Sequence, residues 1–154
     1  MAGSVKTSSK GKVSTDTLAK RVMRTKKLEQ FIRDNEAFME NISLPEYLER
    51  LMNERGLSAA EVIRRSQIER SYGYQIFRGY RRPSRDRLLM LALGLGLNIE
   101  ETGRLLLIGG KSPIYPRIKR DAVLMYCVKE GLPVYKTQEL LADYGLSLLG
   151  EADV

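Results

Sequence analysis

Leu57-Ser-Ala-Ala-Glu-Val-Ile-Arg-Arg-Ser66, followed directly by Gln67-Ile-Glu-Arg-Ser-Tyr-Gly-Tyr-Gln-Ile-Phe-Arg-Gly-Tyr-Arg-Arg-Pro-Ser84, is the stretch that decides the fold. Ser58 with Glu61 three residues on has the spacing of a capping box, in which each side chain satisfies the other residue's backbone amide. Val62 and Ile63 then give a helix of about two turns its inward face. Ser66 and Gln67 mark its end. A second helix is expected to start near Glu69 and to carry Ile76 and Phe77 toward the core. That leaves Arg70, Ser71, Tyr74, Gln75 and Arg78 largely on the other side. Gly79 suits the left-handed position just past a helix C-terminus, and Arg81, Arg82 and Arg85 crowd around Pro83. Three arginines in so short a loop point to phosphate contact.

Two short helices, a tight turn and a basic loop form the outline of a helix-turn-helix DNA reader. The residues resemble the Cro/C1-type helix-turn-helix family, also called the xenobiotic-response-element or lambda-repressor-like type, of bacterial and phage transcription regulators. The resemblance runs over about residues 44–108. It is sharpest at Leu57-Ser-x-x-Glu61, at Arg70-Ser71, and at Arg78-Gly79-x-Arg81-x-Pro83-Ser84 leading into Leu88, Leu89 and Ala92. It implies an all-α, lambda-repressor-like five-helix DNA-binding domain with helices at 44–55, 59–65, 70–78, 85–95 and 99–108, the third being the recognition helix. It further implies that Arg70, Ser71, Tyr74 and Gln75 meet base edges in the major groove of double-stranded DNA, and that Arg78, Arg81, Arg82 and Arg85 neutralise phosphates. Regulators of this type often bind as two-fold homodimers, because one short recognition helix offers few base contacts.

Several positions depart from the family pattern in pairs. Ile63 stands where the family has a small residue, and Gly73 where it has a branched apolar one. The two sites face each other in the motif, so the exchange conserves volume. Met52 and Phe77 stand where some members bury an ion pair, a replacement that is often neutral when both partners change. Gln67 replaces the turn glycine, at little cost if the local backbone avoids positive φ. Ala59 replaces a glutamine that commonly anchors the second helix to a phosphate, which leaves that contact to backbone amides. Ala59, Gly73 and the bulky Tyr72 are the features that favour an alternative, a protein-interaction adaptor on a degenerate helix-turn-helix scaffold.

Charge is unevenly placed. The net +7 concentrates in residues 1–27 (eight basic, one acidic) and 61–88 (eight and three), while residues 28–60 carry three basic and seven acidic groups. A DNA binder places charge in this way, whereas a uniformly solvated surface does not.

The remainder of the chain divides on composition. Residues 1–14 are too polar to fold and form a disordered basic arm. Residues 15–42 form an N-terminal extension with one extra helix, patterned on Leu18, Val22, Leu28, Phe31 and Ile32. Residues 43–110, opened by the pair Ser43 and Glu46, form the helix-turn-helix domain, and residues 111–150 a C-terminal helical hairpin. Tyr80 to Gly110 aligns without gaps on Tyr115 to Gly145 at an offset of 35, matching Arg85-Asp86 with Arg120-Asp121, Gly96-Leu97 with Gly131-Leu132 and Thr102 with Thr137. The hairpin would then repeat the last two helices of the DNA-reading fold, with Pro116 and Pro133 in the first turns of the copied helices. Leu146, Leu148 and Leu149 extend the final helix and either form a dimer contact or cover the hairpin's own core. The hairpin is also the surface for a protein partner.

Other classes are disfavoured. With no histidine and one cysteine, the commonest general base and the usual metal ligands are missing. No phosphate-loop spacing is present, and no enzyme activity or cofactor is expected. No apolar run approaches a membrane span and no signal-peptide core opens the chain, so a cytoplasmic protein without membrane contact is expected. Cys127 falls on an apolar helical pattern as a small hydrophobe.

Overall fold

The structure is a computed structural model that describes residues 13–39 and 42–151, and every regular element among them is helical. The chain separates into two compact units that meet in sequence between Asn41 and Ile42. The arm expected over residues 1–14 falls outside the described residues, apart from its last two.

In the first unit, α1 (Thr15–Arg24) opens at Ser14, whose hydroxyl accepts from the Thr17 amide at 3.0 Å. Thr25 is extended and its amide donates back to the Val22 carbonyl, and α2 (Leu28–Asn35) begins three residues later, followed by a 3-10 turn, Glu36–Phe38. The one extra helix expected here is therefore two. The apolar spacing carries across the break, which hides it from a periodicity argument. The run Arg24-Thr-Lys-Lys27 contributes no inward residue and ends the helix at a β-branched threonine, a weak helix former. Arg21 Nη1 donates to Asn35 Oδ1 at 2.6 Å and ties the two helices together beside buried Phe31.

The second unit holds α3 (Leu44–Arg55), α4 (Ala59–Ser66), α5 (Arg70–Phe77), α6 (Arg85–Leu95), α7 (Ile99–Ile108), α8 (Lys119–Glu130) and α9 (Val134–Asp143). The first five match the expected bounds to within a residue. Ser43, Ser58, Ser84 and Asn98 each accept from an amide of the first turn they precede, and Ser58 with Glu61 and Asn98 with Glu101 form full capping boxes. Each such cap is worth about 1 kcal/mol.

α6 is the hub. Every residue from Leu88 to Leu95 is buried, because α4 packs along one side, α3 and α7 along another, and α8 and α9 against the remainder. A helix buried all round is apolar all round, which is why this segment reads as a run and not as a stripe. Gly94 permits the close approach of α4, since a Cβ there would lie 2.1 Å from Ser66 Oγ and 2.8 Å from the Ser66 amide nitrogen.

The offset of 35 is visible in the backbone. Gly96 and Gly131 both take left-handed φ, 69° and 66°, after α6 and α8. The next amides, Leu97 and Leu132, return to the carbonyls of Ala92 and Cys127. Buried Thr102 and Thr137 each donate their hydroxyl four residues back, to Asn98 and Pro133. Gly110 and Gly145 end the second helices with φ of 72° and 68°.

Two details differ from expectation. α9 stops at Asp143, so Leu146, Leu148 and Leu149 do not extend it. They belong to a tail that folds back, with Leu149 buried and its amide and carbonyl both bonded to the Gln138 side chain at 2.8 and 3.0 Å. Gly145 in the left-handed region turns the chain there. The prolines also sit outside the helices: Pro133 is the residue preceding α9 and Pro116 lies three residues before α8. Cys127 is fully buried, and burial pushes its thiol above the usual value.

The two copies are joined by a reciprocal clamp. Arg85 donates to both carboxylate oxygens of Asp121 (3.0 and 2.8 Å) and to the carbonyls of Ser112 and Pro113. Arg120, its counterpart, donates to both oxygens of Asp86 (3.0 and 2.9 Å) and to the carbonyls of Ser147 and Leu148. Asp121 also accepts from the Tyr115 amide and Asp86 from the Gly150 amide, again 35 residues apart. Every partner in one half of the joint has its equivalent in the other, the pattern of a two-fold interface made within one chain. Burial pushes both carboxyls up, but hydrogen bonds from the arginine and the tail amide, with both arginine charges, outweigh it and hold Asp86 and Asp121 below their ordinary value.

Candidate nucleic-acid interface

The candidate surface is built on α5 and the loop behind it. Val62 and Ile63 of α4 and Ile76 of α5 are buried, which fixes how the two helices lie together. Gly73 is the closest point. A Cβ there would meet Ile63 Cγ1 at 2.7 Å and Cδ1 at 2.9 Å, so the large residue on one helix does occupy the space left by the small one on the other. Met52 and Phe77 are both partly buried against the same core. Ile76 points inward as expected, whereas Phe77 is only half-buried.

The turn between α4 and α5 departs from expectation. Gln67 has φ 56° and ψ 36°, so the backbone keeps the left-handed conformation that a glycine would serve and a glutamine takes it at a cost of about 1 kcal/mol. The Gln67 and Ile68 amides return to the carbonyls of Arg64 and Ile63, closing α4 with orphan carbonyls satisfied. This geometry outweighs the preference of one residue.

α5 begins at Arg70 because the Glu69 carboxylate accepts from the Ser71 and Tyr72 amides. It ends at Phe77, with Arg78 as its cap and Gly79 at φ 81°. Arg70, Ser71 and Arg78 are exposed and Tyr74 and Gln75 half-buried, so these five residues share the outward side of the helix. Two guanidiniums lie over the Tyr74 ring, with Arg70 Cζ 5.8 Å and Arg78 Cζ 5.9 Å from its centroid. Cation–π attraction therefore keeps two cations beside one aromatic ring at the helix surface. Arg81 Nε donates to Gln75 Oε1 at 2.8 Å, which orients the Gln75 amide, and Arg81 Cζ lies 5.4 Å from the Tyr72 ring. Tyr72, which as a sequence feature counted against DNA contact, is thus a half-buried support for a loop arginine. Nothing in its spacing would have shown that.

The eight residues singled out from sequence fall into two groups. Arg70, Ser71, Tyr74, Gln75, Arg78, Arg81 and Arg82 come together on α5 and its following loop. Arg82 is exposed and lines a cleft with Ser43, Pro45, Gly79 and Pro83. Arg85 is the exception. Its guanidinium is committed to Asp121 and two carbonyls, with 22% of the side chain exposed, so its donors are used in the joint and are not presented with the others. The sequence signal that distinguishes it is the aspartate beside it, repeated as Arg120-Asp121.

Residues 44–105 match the family model described as a helix-turn-helix domain, which spans α3 to α7 up to Leu105. That domain family is DNA-binding at the general level. No curated protein and no solved structure matches the chain. Among the described residues no helix is long and apolar enough to cross a membrane.

Proposed function

We propose that this chain is a sequence-specific, double-stranded-DNA-binding transcription regulator of the Cro/C1 type, with α5 in the major groove. The observation that carries the reading is the outward face of α5, where Arg70, Tyr74 and Arg78 stack and Gln75 is held by Arg81 on a helix-turn-helix scaffold. Arg70 can fork onto the O6 and N7 of a guanine. Gln75 keeps an amide N–H2 and a second lone pair for an adenine. Ser71 and Tyr74 complete the base-reading set, while Arg78, Arg81 and Arg82 supply phosphate contacts that fix register. A two-fold dimer on a pseudo-palindromic site belongs to the same proposal.

Selection of bound duplexes from a random library, followed by titration of the recovered site at two salt concentrations, tests it. A palindromic motif with steep salt dependence is the expected result. Weak binding without a motif would shift the reading to the second one, an adaptor in which the C-terminal hairpin is the working surface. That second reading is favoured by an apolar groove on the hairpin, and hairpin docking is compatible with either.

A further inference from the structure

The duplicated hairpin leaves one of its faces uncovered. Lys119, Ala122, Val123, Tyr126, Leu140 and Tyr144 line a groove of about 390 Å³ between α8 and α9. Subtracting 35 gives the equivalent face of the first copy, on α6 and α7. There Leu88, Leu91 and Leu105 stand where Val123, Tyr126 and Leu140 stand in the second, and all three are 0% exposed. They are covered because α3 packs across α6 and α7, bringing Tyr47, Leu48 and Leu51 into the same core. In the second copy no described element of this unit does this, and Tyr126 and Tyr144 are 51% and 55% exposed. Two tyrosines and two aliphatic residues open to water form the apolar, aromatic-rich patch that interfaces favour.

The first copy also shows what charge such a cover must carry. α3 ends in Arg55, whose Nη2 lies 2.7 Å from Glu101 Oε1 on α7. The position equivalent to Glu101 on α9 is Lys136, which is exposed and has no ion-pair partner among the described residues. At the far end of the groove Lys119 sits 5.6 Å from the centre of the Tyr144 ring, and no carboxylate lines the groove. A covering helix laid as α3 is laid would place its last turn at Lys136 and its first turn near Lys119, so it needs acidic groups at both. A second copy of this chain offering α3 would bring Arg55 onto Lys136, like charge on like charge.

We infer that the C-terminal hairpin is a docking site for an amphipathic helix of a partner protein, about three turns long, with an apolar stripe and acidic residues in its first and last turns. Val123, Tyr126, Leu140 and Tyr144 take the stripe, and Lys119 and Lys136 take the acids. This deepens the reading of the hairpin as a partner surface and is independent of DNA contact by α5.

The test uses the full chain and two fluorescein-labelled synthetic helices of about twelve residues, the length of three turns. Both carry leucines at i, i+3, i+4 and i+7. One has glutamates and the other lysines at the two ends. Anisotropy titration should show the acidic helix binding at least about tenfold tighter than the basic one. Lys136→Glu, a surface change that leaves the core intact, should reduce or reverse that preference. Tyr126→Glu, checked by circular dichroism for an unchanged melt, should abolish binding of the acidic helix. Binding of neither helix, or equal binding of both that Lys136→Glu leaves unchanged, would overturn the inference. So would light scattering that shows the free chain dimerising in a way that Tyr126→Glu abolishes, because the groove would then hold a second copy. Duplex titrations on the same variants report separately on the DNA-binding reading, which predicts no change in either.

Discussion

Arg81 and Arg85 stand four residues apart and have different physical surroundings. Arg81 is exposed, bonded to Gln75 and stacked near Tyr72, at the edge of a face where Arg70, Arg78 and Arg82 also have no ion pair among the described residues. Arg85 sits in a joint where two arginines and two aspartates neutralise one another and the leftover donors go to main-chain carbonyls. The first arrangement keeps charge available to an outside anion, and the second consumes it. A count of arginines over 78–85 therefore overstates the cationic face, and the neighbour in sequence separates the two kinds: aspartate follows Arg85 and Arg120, but none follows Arg78, Arg81 or Arg82.

The largest effect is expected from removing one partner of the joint. Arg120→Ala leaves Asp86 partly buried with only the Gly150 amide and more distant charge, and should cost about 3 kcal/mol in chemical denaturation, near the low end for breaking a buried pair. Duplex affinity per folded molecule should not change. A fall in duplex affinity with unchanged stability would assign the joint to DNA binding and erase the distinction.

Acid should act on the joint in the same direction. Because the folded carboxyls of Asp86 and Asp121 lie below their unfolded value of about 3.9, the stability they contribute is fully present above that value and is lost as pH falls through the folded one. The stability difference between the natural chain and Asp86→Asn should therefore be flat from about pH 5 to 8 and shrink below about pH 4. A difference that instead grows on acidification would contradict the assignment.

Smaller effects test the packing behind the cationic face. Gly73→Ala should cost about 1–2 kcal/mol by driving a methyl into Ile63. In an Ile63→Ala background the same change should become favourable by about 1 kcal/mol, the helix gain of Ala over Gly. Additive effects in that double-mutant cycle would show that the two sites do not touch. Smallest of all, Gln67→Gly should raise stability by about 1 kcal/mol by relieving a left-handed non-glycine residue, as measured by the midpoint of urea unfolding.

Much of this organisation was legible in the chain before its structure. The bounds of α3 to α7 that the family resemblance implied hold to within a residue, and Ser58 with Glu61 and Gly79 mark helix ends through local backbone geometry that a sequence can show. The exchange of Ile63 for Gly73 was legible as a compensated volume. Other features depended on long-range partners that carry no local signal. The break at Thr25 lies within a continuing apolar period. Gln67 adopts the glycine conformation because the chain on both sides demands it. Arg85 meets Asp121, 36 residues away, and Tyr72 meets Arg81 by stacking. The repeat was legible as identities at a fixed offset, but its meaning as a reciprocal joint needed the tail carbonyls of residues 112, 113, 147 and 148 brought back to the starts of α6 and α8.

We propose that α5 reads base sequence through Arg70 while Arg82 contributes only charge. Competition titration of the natural chain, Arg70→Ala and Arg82→Ala on a selected duplex and its single-base variants tests it most directly. Arg70→Ala should lose about 1–3 kcal/mol on the selected site and relax preference at one base pair, whereas Arg82→Ala should weaken all duplexes alike and lower the salt slope by about one. An Arg70→Ala protein that keeps the full preference of the natural chain would rule out base reading through Arg70.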